Sequence, residues 1–432
     1  MKQKQEQEKT KYPQLTPLWL AVFADILGFT LVIPLIPRIR EVFGATYFQS
    51  SLLLTLNAIF GFIAGPIFGR LSDKYGRRPM LLIAQAGTFT AFLMFAFSRN
   101  LWMLYISRIV DGCFGGNYPL AKAMISDIVL PKDRSVQMTN VGVAHNLANI
   151  FGPAVSGVLS EIGYRTLNSA VIFPGLLGAG LSSLTMILTL SRIKETAPSK
   201  TGKTVFGDVE YLKKQLEKEE HSSRSLLKNK TALLLLIQWG FHSLSFFTFM
   251  SNIGQFAYDT LDSINDPSQL GLLLSITGIS QIIIRYTLFY PMLRRIGEKR
   301  TATIGLTLFL FVFSLVGFVQ VEWQFILILL GLSFAASSVR GVLTGFLSRS
   351  VDPRDQGTIQ GYNTSLDTFA QIVGPLTSAT VLTIFPLHLY GLFATIFAII
   401  PFLIVFKPIE FKYEKKFLQE RKKPENMSSG ND

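Results

Sequence analysis

Twelve stretches of about twenty or more residues, almost free of charge, fill most of this sequence, and no soluble core can absorb that many. Each is long enough to cross roughly 30 Å of hydrocarbon as a helix. They run approximately Leu18 to Pro37, Phe48 to Gly69, Met80 to Ser98, Leu101 to Ser126, Met138 to Ser160, Asn168 to Leu190, Thr231 to Tyr258, Gln269 to Pro291, Thr301 to Val319, Trp323 to Leu347, Gly357 to Ile384 and Pro386 to Phe406. A backbone in lipid must satisfy its own hydrogen bonds, and runs of this length do so as helices. The sequence therefore predicts an all-α membrane protein with twelve transmembrane helices. An even number returns the C-terminus to the side of the N-terminus.

The formal net charge of +13 invites a nucleic-acid reading, but its distribution excludes one. Of 41 Lys and Arg, 33 fall in the tails and the even-numbered connections, four in the odd-numbered connections and four inside the runs. That asymmetry is the positive-inside pattern, which places both tails and the 191–230 linker in the cytoplasm. The opposite face carries six acids against four bases. The basic balance thus records topology, not a phosphate-binding surface. The single Cys113 lies in the fourth run, so no intrachain disulfide can form. The first run follows a Lys/Gln/Glu-rich tail and lacks a small-residue cleavage site, so it reads as a retained helix.

A repeat divides the chain. "PKDRSVQMTNVGVAHNLANIFGP" begins at Pro131 and "PRDQGTIQGYNTSLDTFAQIVGP" at Pro353, an offset of 222 residues, and Gly76 finds a partner near that offset in Gly297. Two pseudo-symmetric six-helix bundles in parallel topology follow. The expected units are a cytoplasmic tail at 1–17, a first bundle at 18–190, a cytoplasmic linker at 191–230, a second bundle at 231–406 and a tail at 407–432. Within the linker, "FGDVEYLKKQLEKEE" is compatible with a short surface helix or with a solvated tether.

In the fifth and eleventh helices the helical period aligns His145, Asn149, Gly152 and Ser156, and, 222 residues on, Asp367, Gln371, Gly374 and Ser378. Two matched polar stripes either line a watery cavity or tie helices together. His145, Asn149, Ser156, Gln371 and Ser378 are the expected cavity-lining side chains. Gly152, Pro153, Gly157, Gly374 and Pro375 form the expected packing motif.

Four ionisable groups fall deep in the runs, where a charge costs on the order of 3 kcal/mol. Asp25 lies roughly 10 Å in from the cytoplasmic end of the first helix, and Arg108 roughly 10 Å in from the outer end of the fourth. Asp111 and Asp367 fall near mid-depth. Arg108 and Asp111 are three apart and can pair on one helix face. Asp25 and Asp367 have no such partner in sequence, which makes them the candidates for proton coupling. Lys122, Arg285 and Arg340 lie close enough to cytoplasmic ends to act as snorkelling anchors.

At these residues the chain resembles the major facilitator superfamily and, within it, the drug:proton antiporters related to the tetracycline exporters. "GRLSDKYGRRP" fits the signature connection between helices 2 and 3, and "RIVDG" fits the Arg-x-x-Gln-Gly element of helix 4 with Asp111 at the Gln position. "GPAVSG" resembles the antiporter signature of helix 5, "DILGFTLVIPLIP" the exporter pattern of helix 1, and "LSRSVDPRDQG" with "IVGPL" the wording around helix 11. The resemblance implies the major facilitator fold and a cytoplasmic gate built from Gly69, Asp73, Gly76, Arg77, Arg78 and Asp127. In that gate Asp73 would face the start of helix 11 at Gln356 and Gly357, and Arg77 would pair with Asp127, latching the cytoplasmic side while the cavity opens outward. The chain departs from the exporters where they carry a carboxylate in helix 3, here Ala91, and in having Ser156 for a glycine and the acid Asp367. Tetracycline itself is not the expected substrate.

The expected function is proton-coupled export of a small amphipathic organic compound by alternating access, with Asp25, Arg108, Asp111 and Asp367 serving protons and substrate. The alternatives are a proton-coupled importer of an organic anion or metabolite, using Arg108 and His145, and a transporter-like receptor without flux. An enzyme is not expected. The four His lack ligand spacing, so no metal site is predicted, and no complete Gly-x-x-x-x-Gly-Lys-Ser/Thr phosphate loop argues for ATP. No cofactor is expected. The partners are a small-molecule substrate, protons and the lipid bilayer, without nucleic acid, around a monomer in the plasma membrane with both termini cytoplasmic.

Overall fold

The structure, a computed structural model, describes residues 12–197, 200, 229–352 and 355–407. Among them, helical rods occupy every predicted run: α1 Leu15–Val42, α2 Tyr47–Tyr75, α3 Arg77–Ala96, α4a Leu101–Cys113 with α4b Asn117–Ile128, α5 Pro131–Leu167 and α6 Ile172–Arg192. After the linker come α7 Lys230–Thr260, α8 Pro267–Ile296, α9 Glu298–Phe318, α10 Glu322–Arg349, α11 Gln356–Ile384 and α12 Leu387–Val405. Nine of these are long and apolar enough to cross a membrane by length and composition. The other three are the broken α4 and the two rods that carry the polar stripes. The proposed linker helix and most of both tails lie outside the described residues.

Several boundaries differ from expectation. α1 begins before Leu18, and α5 runs from Pro131 to Leu167, beyond Met138 to Ser160 at both ends. Hydropathy marks where lipid ends, whereas a helix continues until its backbone is capped. The fourth run, expected to be continuous, is interrupted at Phe114-Gly115-Gly116.

Packing repeats the sequence symmetry. In the N-terminal half (α1–α6) the pairs α1–α5, α1–α6, α2–α4a, α3–α4a and α3–α6 are in contact; in the C-terminal half (α7–α12) the pairs six helices on are α7–α11, α7–α12, α8–α10, α9–α10 and α9–α12. The halves meet along α5–α8 and α2–α11, which exchange under the same operation. Chain reversal between α2 and α3 takes a single residue, Gly76 at φ 113°, and between α8 and α9 it takes Gly297 at φ 81°. Only glycine enters that region freely.

Large apolar side chains such as Ile63, Ile187, Phe311 and Leu327 are more than half exposed on the outer surface, as lipid-facing residues must be. Trp102 and Trp323 open α4a and α10 on the face away from the termini and are 74% and 62% exposed, the placement of an interfacial aromatic belt. Many phenylalanines pack inside the C-terminal half. Phe249 and Phe313 have ring centroids 4.5 Å apart, and Tyr390 stacks on Phe256 at 4.9 Å.

Candidate functional site

The two halves enclose a cleft whose acids and bases come from α1, α4 and α5 on one wall and from α7, α10 and α11 on the other. On the first wall, Asn117 Nδ2 donates to Asp25 Oδ1 at 3.0 Å. The Tyr118 ring lies 6.4 Å from the His145 ring and 5.1 Å from Lys122 Nζ. Lys122, expected to snorkel, is exposed, with its ammonium against the Tyr118 ring. Arg108 and Asp111 form the pair that their spacing allows, Nη1 to Oδ2 3.3 Å, and Asn57 Nδ2 adds a bond to the same oxygen at 2.8 Å. Arg108 is only 2% exposed, with its guanidinium 5.1 and 4.7 Å from the Phe92 and Phe95 rings, so it braces α3 and α4a and does not meet the cleft.

On the second wall, Asp367 is held by three donors: Arg340 Nη2 at 2.5 Å, Ser243 Oγ at 2.5 Å and Trp239 Nε1 at 2.9 Å. Two expectations are corrected here. Asp367 is not without a partner, and Arg340 is not a snorkelling anchor, because the 3.6-residue period of α10 aims it at α11 and no spacing within one helix could reveal that. Arg340 also lies in electrostatic range of Tyr118 and His145 across the cleft. Beside it a small recess of about 80 Å³ is lined by His242, Ser243, Phe246, Gln281, Ala336 and Arg340.

The polar stripes divide along their length. His145, Asn149, Asp367 and Gln371 are half-buried. Ser156 and Ser378, expected to line a cavity, are 0% and 1% exposed. Ser156 Oγ donates to the Leu31 carbonyl, tying α5 to α1. Gly152 sits against Thr30, and Gly374 against the Phe247–Thr248 backbone, where an added Cβ would come within 2.8 Å. Pro153 and Gly157 of α5 close against Gly271 and Pro267 of α8. Asn252 Nδ2 donates to the Pro375 carbonyl at 3.0 Å.

The two ends of the cleft differ. At the end away from the termini, Arg40 pairs with Asp259, Tyr47 Oη donates to Asp259 at 2.7 Å, Arg38 reaches Glu161 at 3.4 Å and the Asn265 carbonyl at 3.3 Å, and Ser51 Oγ donates to Asn252 Oδ1 at 2.8 Å. Most of these contacts join one half to the other. Near the termini, a Cβ at Gly65, Gly69, Gly142, Gly357 or Gly361 would find nothing within 4 Å. There the charges pair within a half: Arg77 Nε with Asp127 at 2.5 Å, Arg77 with Asp73 at 3.1 Å, and Arg349 with Glu298. Arg78 donates to the Leu190 carbonyl at 2.7 Å. The cleft is thus sealed at the far end and open toward the termini.

Glu195, which sequence reasoning did not single out, organises the basic turn. It accepts backbone N–H bonds from Arg77, Arg78, Thr196 and Ala197 at 2.8 to 3.2 Å. Partial burial works against its charge, but these donors prevail and hold its carboxyl below the usual range.

A family model for the Major Facilitator Superfamily matches residues 18–264 and 241–430. The chain belongs to the Major Facilitator Superfamily. Among its relatives are the class H tetracycline resistance protein of Pasteurella multocida, 27% identical over 84% of this chain and 87% of the relative, and the class G protein of Vibrio anguillarum, 29% identical over 83% and 87%. The multidrug resistance protein MdtG of Proteus mirabilis is 24% identical over 84% and 88%. In fold the chain is similar to the nucleoside transporter NupG, at a TM-score of 0.69, 15% identity and coverage of 91% of this chain and 99% of that one. It is also similar to a bacterial homologue of the human lysosomal transporter Spinster in an inward-facing, unoccupied conformation, at 0.71, 14% identity and coverage of 94% and 97%. Like other members of this superfamily, the chain is a multi-pass membrane protein built for small-molecule handling.

Proposed function

We propose that this chain exports a small amphipathic organic compound in exchange for protons, by alternating access, in the plasma membrane with both termini in the cytoplasm. The observation that carries the reading is Asp25: a half-buried carboxylate at cleft depth, held by neutral donors and, among the described residues, by no cation. Such a group can take up and release a proton as the cleft alternates. Asp367 is bound to Arg340 and is assigned instead to shaping the recess. There Phe246 offers an apolar surface and Ser243, Gln281, His242 and Arg340 offer hydrogen bonds, a small lining suited to one end of an amphipathic guest that otherwise lies in the cleft. Relatives named for resistance to tetracycline and to multiple drugs support a drug-like cargo. Ala91, at the helix 3 position where the exporters carry a carboxylate, is 0% exposed, which supports a cargo other than tetracycline. The sealed position of Arg108 disfavours its use as a ligand for an imported anion.

The rocking halves would be the N-terminal bundle at 18–190 and the C-terminal bundle at 231–406. Proteoliposomes holding the purified protein, screened with a panel of amphipathic compounds under an imposed pH gradient, test the reading. Substrate should move against proton flow, and Asp25→Asn should reduce gradient-driven flux at least about a hundredfold while leaving binding detectable. Substrate moving together with protons would reject export.

A further inference from the structure

We propose that Asn117, presented by the break in α4, is the positioning residue that holds Asp25 in its charged form and thereby sets the pH at which the transporter takes up its proton. The proposal rests on the reading of Asp25 as the proton-carrying group. α4a ends at Cys113 and α4b restarts at Asn117, the turn between them closed by Gly115 N–H to the Gly112 carbonyl at 2.9 Å and Gly116 N–H to the Phe114 carbonyl at 2.7 Å. The restart is the N-terminus of a 12-residue helix, so its first backbone donors have no carbonyl one turn back. Pro119 brings no donor to this first turn, which leaves those of Asn117 and Tyr118. Tyr118 N–H faces the Asp25 carboxylate from this position.

The side chain of Asn117 adds the second observation. Its amide nitrogen donates twice, to Asp25 Oδ1 at 3.0 Å and to Thr88 Oγ1 on α3 at 3.0 Å. Asn117 and Thr88 are each 4% exposed, whereas Asp25 is half-buried, so a fixed donor meets a carboxylate that a proton can reach from the cleft. Two neutral donors and the positive end of a short helix thus take the place of a cation. A carboxylate accepts these bonds more strongly than a carboxylic acid does, so every proton that binds Asp25 must weaken them. The other groups around Asp25 are few. Asp111 acts on it from α4a and the Tyr118 phenol from α4b, and that phenol is itself met by Lys122 of α4b and, across the cleft, by Arg340. His145 is the one titratable side chain in the middle of α5, and α6 carries none between Ile172 and Leu190. The break gives Asp25 a partner that the resemblance to other exporters does not supply.

Infrared titration of the full chain in proteoliposomes, with Asp25→Asn used to assign the carboxyl band, reads the protonation midpoint of Asp25. The pH profile of proton-driven export is recorded alongside. Asn117→Leu keeps the volume and removes the donor, so the charged form loses support and both midpoints should move up by about one pH unit. Asn117→Thr, which retains a hydroxyl donor, should recover most of that shift. A residue that only packs would lower yield or maximal rate without moving either midpoint, and an unmoved midpoint in Asn117→Leu overturns the proposal. If that variant does not fold, Thr88→Val releases the amide and carries the same test: a smaller upward shift supports the role, and none overturns it. Export that stays proton-driven in Asp25→Asn overturns the proton assignment itself. An unmoved Asn117→Leu midpoint with transport still dependent on Asp25 overturns only the part given to Asn117.

Discussion

The two ends of the cleft use similar residues to opposite effect. At the far end, Arg40 of α1 leaves its own half to pair with Asp259, and Arg38, paired with Glu41 and Glu161 inside its half, also meets the Asn265 carbonyl of the other. Near the termini, Arg77 and Arg349 form pairs inside their own halves, with Asp127 and Glu298. These last two pairs occupy matching places in the repeat with the charges exchanged: Asp127 corresponds to Arg349 at the offset of 222, and Arg77 falls within one residue of Glu298. Charges paired inside a half hold it as a body, and charges that cross the interface fix which end is shut. A rocking transporter requires that division of labour, since a contact that must open in every cycle cannot also carry the stability of a half.

The largest effect should come from making the far-end contact permanent. In a Cys113→Ser background, Ser51→Cys with Asn252→Cys, bridged by a short bis-methanethiosulfonate, should bring transport down to the level of empty vesicles. Reductant should restore it. The side chains now in contact at 2.8 Å come from opposite halves, so the bridge forbids the outward-open state. Bridged protein that still transports would mean that the far end need not separate.

The opposite change weakens the clamp. Arg40 and Asp259 are each 18% exposed, and losing one partner should cost about 1 to 2 kcal/mol, which multiplies the outward-open population roughly 5- to 30-fold. Arg40→Ala should therefore raise labelling of far-end cysteines by impermeant reagents, and Arg40→Asp with Asp259→Arg should reverse the change. Labelling unaffected by Arg40→Ala would assign the seal to the α5–α8 contact, where Gly157 and Gly271 let the backbones touch.

How much of this was legible follows from what sequence separation conceals. Helix positions, the repeat and the Arg108–Asp111 pair are local or periodic, and the residues state them directly. The partner of Asp367 comes from a different helix, as does that of Asp25, and no periodicity within one run reports the rotation of another. The break in α4 was visible as Gly115-Gly116 ahead of Pro119, but hydropathy averages over the run and passes across it. Ser156 and Ser378 lie on the predicted faces, yet α1 covers Ser156, and a helical wheel cannot tell a lined cavity from a close contact.

The smallest effect concerns what keeps the open end orderly. Glu195 follows α6 and ties four backbone N–H groups, two of them at the unpaired start of α3. A carboxyl held below its ordinary range stabilises the fold while it is charged, and that contribution disappears as pH falls through its lowered value. Glu195→Ala should therefore lower the thermal midpoint of the purified protein by a few degrees at pH 7 and by progressively less as pH falls below the ordinary carboxylate range. Because the group is only partly buried, solvent screening keeps the effect well below that of a buried pair. Transport should change little, since neither the far-end clamp nor Asp25 is touched. A loss of transport as large as that of the bridged protein would mean that the turn after Gly76 moves in the cycle and is no passive end of a rigid half.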